Sequence, residues 1–272
     1  MCRLLAHVAR RPMTVAEAVG AADLASFADL SPRHPDGWGM AWWVDAGGGA
    51  GDGPPERTRA VGGAREDPAF HAATGGVAAQ VAVVHLRGAT PGLTLGLENC
   101  HPFVHDRAAF AQNGALYPQE RLSELLPPEL EATVEGSTDS ERLFRLFHAR
   151  YLEGGRTFPA VVRDTLAEVL QTYTSPVLNA MYLAPDALYV LNAHNPTSVP
   201  YAGDPPDMFA IRYRIEDDCV VVASSGFDQP ASRGWWTLDN MTVLSVRFSD
   251  LHVAIDRLDG VPVPAYTYQE AS

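Results

Sequence analysis

The sequence contains no lysine, and all 20 of its basic residues are arginine. The absence of lysine excludes Schiff-base catalysis, Ser-Lys hydrolysis and the phosphate-binding lysine of a P-loop. The arginines are outnumbered by 33 acidic residues, so the chain carries a net charge of −13. Such a chain lacks the basic surface that would neutralise phosphates, and we expect no nucleic-acid partner.

Cysteines and long apolar runs are also scarce. The three cysteines, Cys2, Cys100 and Cys219, have no CxxC spacing, which argues against a disulfide framework and against a zinc cluster. No stretch approaches the roughly 20 apolar residues that a membrane helix requires. The amino-terminal segment also lacks the apolar core of a signal peptide. We therefore expect a cytoplasmic protein that does not associate with a membrane.

Periodicity predicts strands at both ends of the chain and helices between them. The first set of predicted strands covers residues 4–8, 39–44, 57–61, 77–86 and 108–112, with a Gly-rich surface loop at 46–55. Thr138 and Glu141 form a predicted capping box that begins a helix, and a second helix is predicted over 159–173. A β-meander is predicted from Val177 onward, with strands at 178–183, 188–193, 208–213, 219–223, 242–248 and 252–258. This order favours an α+β fold of packed layers.

The cysteine at position 2 has a chemical option that the other cysteines lack. If Met1 is removed, the α-amine and the thiol belong to one residue. The amine has an unperturbed pKa of about 7.7–8.0, so it is able to take the thiol proton near neutral pH. Cys2 would then supply both the nucleophile and the general base. The alternative is a small residue tolerated at a frayed terminus.

Three further positions have both a chemical and a structural interpretation. Asn113-Gly114 follows a predicted strand and could form an oxyanion hole, but Asn-Gly is also the commonest hairpin turn. Arg87 follows a buried strand, where a guanidinium grips the carboxylate of a ligand or of a structural salt bridge. Asp139 lies in the first turn of a predicted helix, where capping and the helix dipole alone favour a carboxylate.

Other notable residues form a turn, a histidine group and a tryptophan pair. The turn Arg33-His34-Pro35-Asp36-Gly37-Trp38-Gly39 leads into a strand, and such a loop either borders a site or is only a tight turn. His85, His101 and His105 with Cys100 suggest a metal site, but their spacing matches no recognised ligand pattern. Trp235-Trp236, if exposed, would suit a contact surface.

The order of these motifs is more specific than any one of them. It runs through Cys2, the turn at residues 33–39, His85-Leu86-Arg87-Gly88-Ala89-Thr90, Gln112-Asn113-Gly114 and Ser137-Thr138-Asp139-Ser140-Glu141. Together these segments resemble the class II glutamine amidotransferases, which are N-terminal-nucleophile hydrolases. The resemblance implies a four-layer αββα sandwich, with residues 1–272 forming a single glutamine amidotransferase type 2 domain.

Three segments are similar to a stand-alone group within that superfamily. They are Met1-Cys2-Arg3-Leu4-Leu5, Asp36-Gly37-Trp38-Gly39 and Leu97-Glu98-Asn99-Cys100-His101-Pro102-Phe103. That group includes the ergothioneine-pathway γ-glutamyl hydrolase and the glutathione-degrading amidotransferase-like subunit. No synthetase, isomerase or phosphoribosyl domain follows, which favours hydrolysis of a γ-glutamyl amide. The substrate would be glutamine or a γ-glutamyl conjugate such as γ-glutamyl-hercynylcysteine sulfoxide.

The resemblance also implies residue roles. Cys2 would be the nucleophile and its amine the base, while Asn113 and Gly114 would form the oxyanion hole. Arg87 would bind the substrate α-carboxylate and Asp139 its α-ammonium, and Arg33 matches a family arginine near the nucleophile. No metal or organic cofactor is implied. Two departures from the family pattern concern the leaving-group side: Gly88 stands where an aromatic residue is frequent, and Gln112 where His often precedes Asn-Gly.

Two other functions remain open from the sequence. One is a glutaminase subunit that supplies ammonia to a separate partner synthase, and the other is a catalytically idle binding relative. The glutaminase subunit differs from a hydrolase in preferring free glutamine and in responding to its partner. The idle relative predicts that replacing Cys2 changes no reaction, whereas a covalent nucleophile predicts a loss of several orders of magnitude.

Overall fold

The computed structural model describes residues 2–45, 53–89, 94–197, 205 and 207–265. Within that part of the chain the α-helices are α1 Val15–Val19, α2 Ala21–Ala28, α3 Pro68–Gly76, α4 Pro128–Glu131, α5 Asp139–Leu152 and α6 Phe158–Val169. The strands are β1 Arg3–Met13, β2 Gly37–Trp43, β3 Glu56–Ala60, β4 Ala79–Arg87, β5 Phe103–His105, β6 Ala108–Gly114, β7 Leu178–Leu183, β8 Ala187–Asn192, β9 Ile211–Ile215, β10 Cys219–Ser224, β11 Trp236–Thr237, β12 Thr242–Arg247 and β13 Val253–Arg257.

The strands form two antiparallel sheets. The first has the order β11-β9-β10-β1-β4-β2-β3, and the second has the order β13-β12-β8-β7-β6-β5. β1 is therefore a central strand, with Leu4 opposite His85 of β4 and Ala6 opposite Val222 of β10. The residue that precedes β1, Cys2, consequently lies at the end of a strand that is paired on both sides.

Three apolar clusters define the order of the layers. Successive strand side chains point to opposite faces of a sheet, so Leu4 of β1 packs between the sheets with Ala111 of β6. Leu5 points the other way and packs with Phe27 beneath α1, α2 and α3. Phe144 belongs to the cluster that joins α5 and α6 to the outer face of the second sheet. The molecule is a four-layer αββα sandwich, as the motif resemblance implied.

Helix α5 begins at Asp139, with only half of the predicted capping box. The Thr138 side chain accepts a hydrogen bond from Glu141 N at 3.2 Å. The Glu141 carboxylate does not return to Thr138 but accepts from Glu135 N at 2.9 Å and from Gly136 N at 2.8 Å. Glu141 therefore fixes the loop in front of α5 instead of closing the box.

Most predicted strands are present, but the predicted meander is wrong. β9 and β10 leave the second sheet and join the first, where β10 pairs with β1. The predicted strand at 208–213 also starts too early, since β9 begins at Ile211. Helices α1, α2 and α3 were not predicted. Of the predicted 46–55 loop, residues 46–52 lie outside the described residues.

The predicted tryptophan pair has one buried and one exposed member. Trp235 is buried and packs edge-on against Phe227, with the Arg214 guanidinium 5.0 Å from its ring centre, so only Trp236 of the predicted pair is exposed. None of the helices in the described residues has the length and apolar composition needed to span a membrane.

Candidate active site

Strand alternation brings three of the predicted site residues to the gap between the sheets. Val83 of β4 and Ala111 of β6 face that gap. Because side chains repeat every two residues along a strand, Arg87 and Asn113 face the same gap. The nitrogen of Cys2 donates to Asn113 Oδ1 at 2.9 Å, across the two sheets. The first sheet thus supplies the cysteine and the arginine, and the second supplies the asparagine.

Cys2 is buried, with 8% of its surface exposed. Burial raises the pKa of its thiol above the ordinary value, while the nearby charges of Arg87 and Arg3 act in the opposite direction. The thiol lies 3.6 Å from the carbonyl oxygen of Gly88, to which it donates. A buried thiol of this kind needs a base to become a nucleophile. The nitrogen held by Asn113 is a peptide nitrogen while Met1 is attached and becomes the α-amine once Met1 is removed.

Asn113 and Gly114 end strand β6 and are not a hairpin turn, since the ladder continues to Gly114 opposite Leu178. Asn113 uses its oxygen for the Cys2 nitrogen, which makes Nδ2 its donor end. A Cβ on Gly114 would lie 2.5 Å from the Val177 oxygen and 2.6 Å from Gln112 Nε2. Only glycine therefore fits at position 114 without displacing the strand.

Arg87 ends strand β4 and is 2% exposed. Its Nη2 donates to the Thr94 oxygen at 3.4 Å, while Nη1 is buried and has no hydrogen-bond partner in the described part of the chain. No ion pair of Arg87 occurs among the described residues either. An unpaired buried donor on a charged group is costly, and a bound carboxylate would satisfy it. Arg87 is thus arranged to bind an anion.

Asp139 is the first residue of α5 and is also buried. Its Oδ2 accepts from Leu116 N at 2.7 Å. Burial raises its pKa to about 6, against the lowering effect of the hydrogen bonds from Leu116 and Ser140. The carboxylate is therefore ionised at neutral pH, and within the described ranges no arginine forms an ion pair with it. A small ammonium group would supply the missing charge partner.

The Asp36-Gly37-Trp38-Gly39 motif positions the loop after Arg87. Asp36 N donates to the Arg87 oxygen at 3.1 Å, and Asp36 Oδ2 accepts from Ala89 N at 2.7 Å. A Cβ on Gly37 would lie 2.7 Å from Cys100 Sγ, and one on Gly39 would overlap the His101 oxygen. Both glycines are needed because residues 100–101 pack directly on β2.

Two buried histidines lie beside Arg87. His85 Nε2 is 3.1 Å from the Gln112 oxygen, so His85 joins β4 to β6 one residue before Asn113. Burial lowers the pKa of His85 to about 3, and burial also lowers the pKa of His101, whose ring centre is 4.2 Å from that of His85. Both rings are neutral at working pH. Across the described ranges, no three His, Cys, Asp or Glu side chains are arranged to hold a metal ion.

Arg33 is exposed and ends the short 3₁₀ helix Ser31–Arg33. Its assignment to substrate binding stays a prediction. Thr90, the last residue of the motif around Arg87, lies outside the described residues.

Sequence reasoning missed the residues that position the site. Arg3 Nη1 donates to the Cys2 oxygen at 3.1 Å, and Asp36 and Asn99 fix the loops around Arg87. All three lie in motifs that were noted for their resemblance to a family, so the signal was present. Their roles depend on pairings between distant segments, which a motif does not reveal.

Comparison with protein families gives a match that covers two thirds of the chain. Residues 1–182 match the model of the class II glutamine amidotransferases. No curated protein sequence matches the chain significantly.

Solved structures share the fold at low sequence identity. A glutamine aminotransferase class-II domain protein from Silicibacter pomeroyi has a TM-score of 0.63 at 18% identity, over 94% of this chain and 99% of that one. Glutamine phosphoribosylpyrophosphate amidotransferase from B. subtilis has a TM-score of 0.61 at 16% identity, over 95% of this chain and 50% of the other. A predicted glutamine amidotransferase from Pseudomonas aeruginosa has a TM-score of 0.51 at 17% identity, over 92% and 99%.

Proposed function

Because the chain belongs to the class II glutamine amidotransferases, we propose that it hydrolyses a γ-glutamyl amide through a thioester on Cys2. The observation that carries the proposal is the Cys2 nitrogen 2.9 Å from Asn113 Oδ1, with the Cys2 thiol beside the loop that follows Arg87. A nucleophile, its base and an amide donor thus meet beside a buried arginine. This is the set that acyl transfer requires.

The two buried charges suit the two charges of a glutamyl group. Arg87 would bind the α-carboxylate through its unpartnered Nη1, and Asp139 would bind the α-ammonium. The two oxygens of a carboxylate accept two parallel hydrogen bonds from a guanidinium, which an acceptor with a single oxygen does not do. We propose Arg33 as a further substrate-binding residue.

The proposed reaction has two acyl-transfer steps. The Cys2 sulfur adds to the γ-carbonyl carbon, its proton passes to the α-amine, and Asn113 Nδ2 and Gly114 N–H stabilise the oxyanion. Collapse breaks the C–N bond, and the α-ammonium gives its proton to the departing amine. Water then adds to the thioester and loses a proton to the α-amine. Collapse of the second oxyanion releases glutamate and returns the thiol.

The amine half of the substrate is proposed from the resemblance to the stand-alone group. Gly88 and Ala89 follow Arg87 directly, and the Gly88 oxygen contacts the Cys2 thiol. The small side chains of Gly88 and Ala89 are compatible with an amine larger than ammonia, and the resemblance to the stand-alone group suggests a γ-glutamyl conjugate such as γ-glutamyl-hercynylcysteine sulfoxide, with glutamine as the other substrate. We propose a cytoplasmic enzyme without a metal or organic cofactor.

We also propose that residues 1–272 form one domain. The family match ends at residue 182, yet β10 from beyond that point pairs with β1, and β8 pairs with β7. Both sheets therefore depend on later strands. An ammonia-supplying subunit with a separate synthase remains the second candidate, since the same geometry would serve free glutamine.

The intact mass of the purified protein, before and after a diazo-ketone analogue of glutamine, tests the proposal. We expect a chain that lacks Met1 and gains one adduct on Cys2, because the reagent alkylates a nucleophile that binds its glutamyl part. Cys2→Ala should gain no adduct, and Cys100→Ala, a matched buried cysteine, should react as the wild type does. Retained Met1, or a processed chain without an adduct, would contradict the proposal.

A panel of substrates then separates the two candidates. A stand-alone hydrolase releases the amine from a γ-glutamyl conjugate with a higher kcat/KM than it releases ammonia from glutamine. An amidotransferase subunit shows the opposite preference, and its glutaminase rate rises when the partner is added. A catalytically idle relative turns over neither substrate, and the Cys2→Ala variant then shows the same background rate of hydrolysis as the wild type.

A further inference from the structure

We propose that Asn99 is a positioning residue that sets the spacing between Arg87 and Asp139. The inference rests on the proposed function, in which these residues bind the two charged groups on the α-carbon of a glutamyl substrate. Asn99 contacts neither charged group directly. It lies between the loops that carry them and is 1% exposed.

One end of the Asn99 side chain holds the loop on the Arg87 side. Asn99 Nδ2 donates to the Thr94 oxygen at 3.0 Å. The same oxygen accepts from Arg87 Nη2 at 3.4 Å. Thr94 O therefore fixes one nitrogen of the guanidinium, and Asn99 fixes Thr94 O. The unpartnered Nη1 of Arg87 takes its direction from this arrangement.

The other end of the side chain holds the segment that leads into α5. Asn99 Oδ1 accepts from Ser137 N at 2.8 Å, and Nδ2 also donates to Ser137 Oγ at 3.2 Å. Ser137 precedes Thr138, the N-cap of the helix that begins with Asp139. A single amide thus connects the backbone beside the arginine to the backbone beside the carboxylate.

Asn99 and the loop before α5 are packed too closely to admit a side chain at position 136. A Cβ on Gly136 would overlap Asn99 Oδ1 and would lie 2.9 Å from the Glu98 oxygen. The loop before α5 is also fixed separately, because Glu141 accepts from Glu135 N and Gly136 N. Loss of Asn99 should therefore uncouple the two loops while the start of α5 keeps its shape.

Only a side-chain amide serves both loops without adding charge. Thr94 O requires a donor, and Ser137 N requires an acceptor. An aspartate would turn an oxygen toward Thr94 O, and an alanine would leave both groups without their partner. The requirement is geometric, since a displacement of about 1 Å in a binding group can reduce a rate about 100-fold.

The experiment compares two reagents that alkylate the same thiol. The diazo-ketone glutamine analogue reacts only after its glutamyl part is bound, whereas iodoacetamide has no glutamyl part. Rates are measured for the wild type, Asn99→Ala and Gly136→Ala, and for Asn240→Ala as control. Asn240 makes a similar two-ended bridge, to the nitrogen and the oxygen of His194, without contact to Arg87 or Asp139.

We expect Asn99→Ala and Gly136→Ala to react about 10- to 100-fold more slowly with the diazo-ketone. Their iodoacetamide rates should stay within about twofold of the wild type, because Cys2 itself is not displaced. KM for the glutamyl substrate should rise by the same factor while kcat changes much less. The control variant should match the wild type with both reagents. Gly136→Ala carries the test if Asn99→Ala does not fold.

Two results would contradict different parts of this proposal, the role of Asn99 or the glutamyl site itself. If both variants keep the wild-type ratio of the two alkylation rates, Asn99 does not position the charged groups, and the inference is wrong although the proposed function stands. If the wild type reacts with iodoacetamide but not with the diazo-ketone, the proposed glutamyl site itself is wrong, and the inference falls with it.

Discussion

Replacing Asp139 by Asn should make the free protein more stable above neutral pH while it weakens substrate binding. Burial raises the pKa of Asp139 to about 6 from an ordinary value of 3.8. The folded state therefore holds the proton more tightly than the unfolded chain does. The stability that this provides is complete below pH 3.8 and is lost as the pH rises through about 6. Above that range the folded protein contains an ionised, buried carboxylate at a cost.

The size of the effect follows from the shift. Each unit of pKa corresponds to about 1.36 kcal/mol, so a rise of about two units costs the folded protein roughly 3 kcal/mol at pH 7.5. Asparagine has a similar shape, stays neutral and can still accept from Leu116 N through its oxygen. The difference in the free energy of unfolding should be near zero below about pH 3 and should approach about 3 kcal/mol above pH 7. For a chain of this size it raises Tm by roughly 6–12 °C.

Urea unfolding at a series of pH values, followed by tryptophan fluorescence, measures this difference. Asp29→Asn is the matched control, since its carboxylate is 61% exposed and pairs with the exposed Arg65, and it should change stability by less than about 0.5 kcal/mol at every pH. The reasoning is refuted if the Asp139→Asn difference does not depend on pH, or if the variant is less stable than the wild type at pH 7.5.

Three further predictions concern catalysis. In the wild type, a plot of log kcat/KM against pH should rise with slope two below about pH 6, where Asp139 and the Cys2 amine both lose protons, and with slope one from there to about 7.7. In Asp139→Asn the slope should be one throughout. A slope of two in that variant would contradict the assignment of the lower pKa to Asp139. Gly114→Ala should lower kcat about 100- to 1,000-fold with little change in KM, because the new Cβ meets the Val177 oxygen and displaces the N–H donor. An unchanged kcat in steady-state kinetics would exclude Gly114 from the oxyanion hole. Arg87→Lys should raise KM at least about 10-fold, since an ammonium lacks the guanidinium fork, and an unaltered KM would show that Arg87 does not bind the carboxylate.

Local sequence signals predicted the elements but not the partners of the later strands. The strand Leu178–Leu183 has the predicted bounds, and Thr138 caps α5 as expected. β9 and β10 were placed beside β7 and β8 because consecutive strands commonly pair. β10 pairs instead with β1, which lies more than 200 residues earlier in the chain, and no local pattern predicts such a pairing. Helices α1 and α2 are five and eight residues long, too short for a clear helical period.

The candidate site was predicted by residue type but not by geometry. Cys2, Arg87 and Asn113 were each named, and alternation along their strands explains why they share one gap. The neighbours that orient them were not found. Asn99 acts through hydrogen bonds to Thr94 and to Ser137. Ser137 lies 38 positions after Asn99, so this contact forms only when the two loops meet in the folded chain.

The pairing of β1 with β10 has a consequence for protein synthesis. Leu4 N donates to Ser224 Oγ at 3.1 Å, and β1 receives its second neighbour only from residues 219–224. A ribosome that has translated the first 182 residues has made Cys2, Arg87, Asn113 and Asp139, but the nascent chain still lacks the strand that completes the sheet on the other side of Cys2. The proposed nucleophile is therefore synthesised early, whereas the sheet around it is completed only when residues 219–224 have emerged.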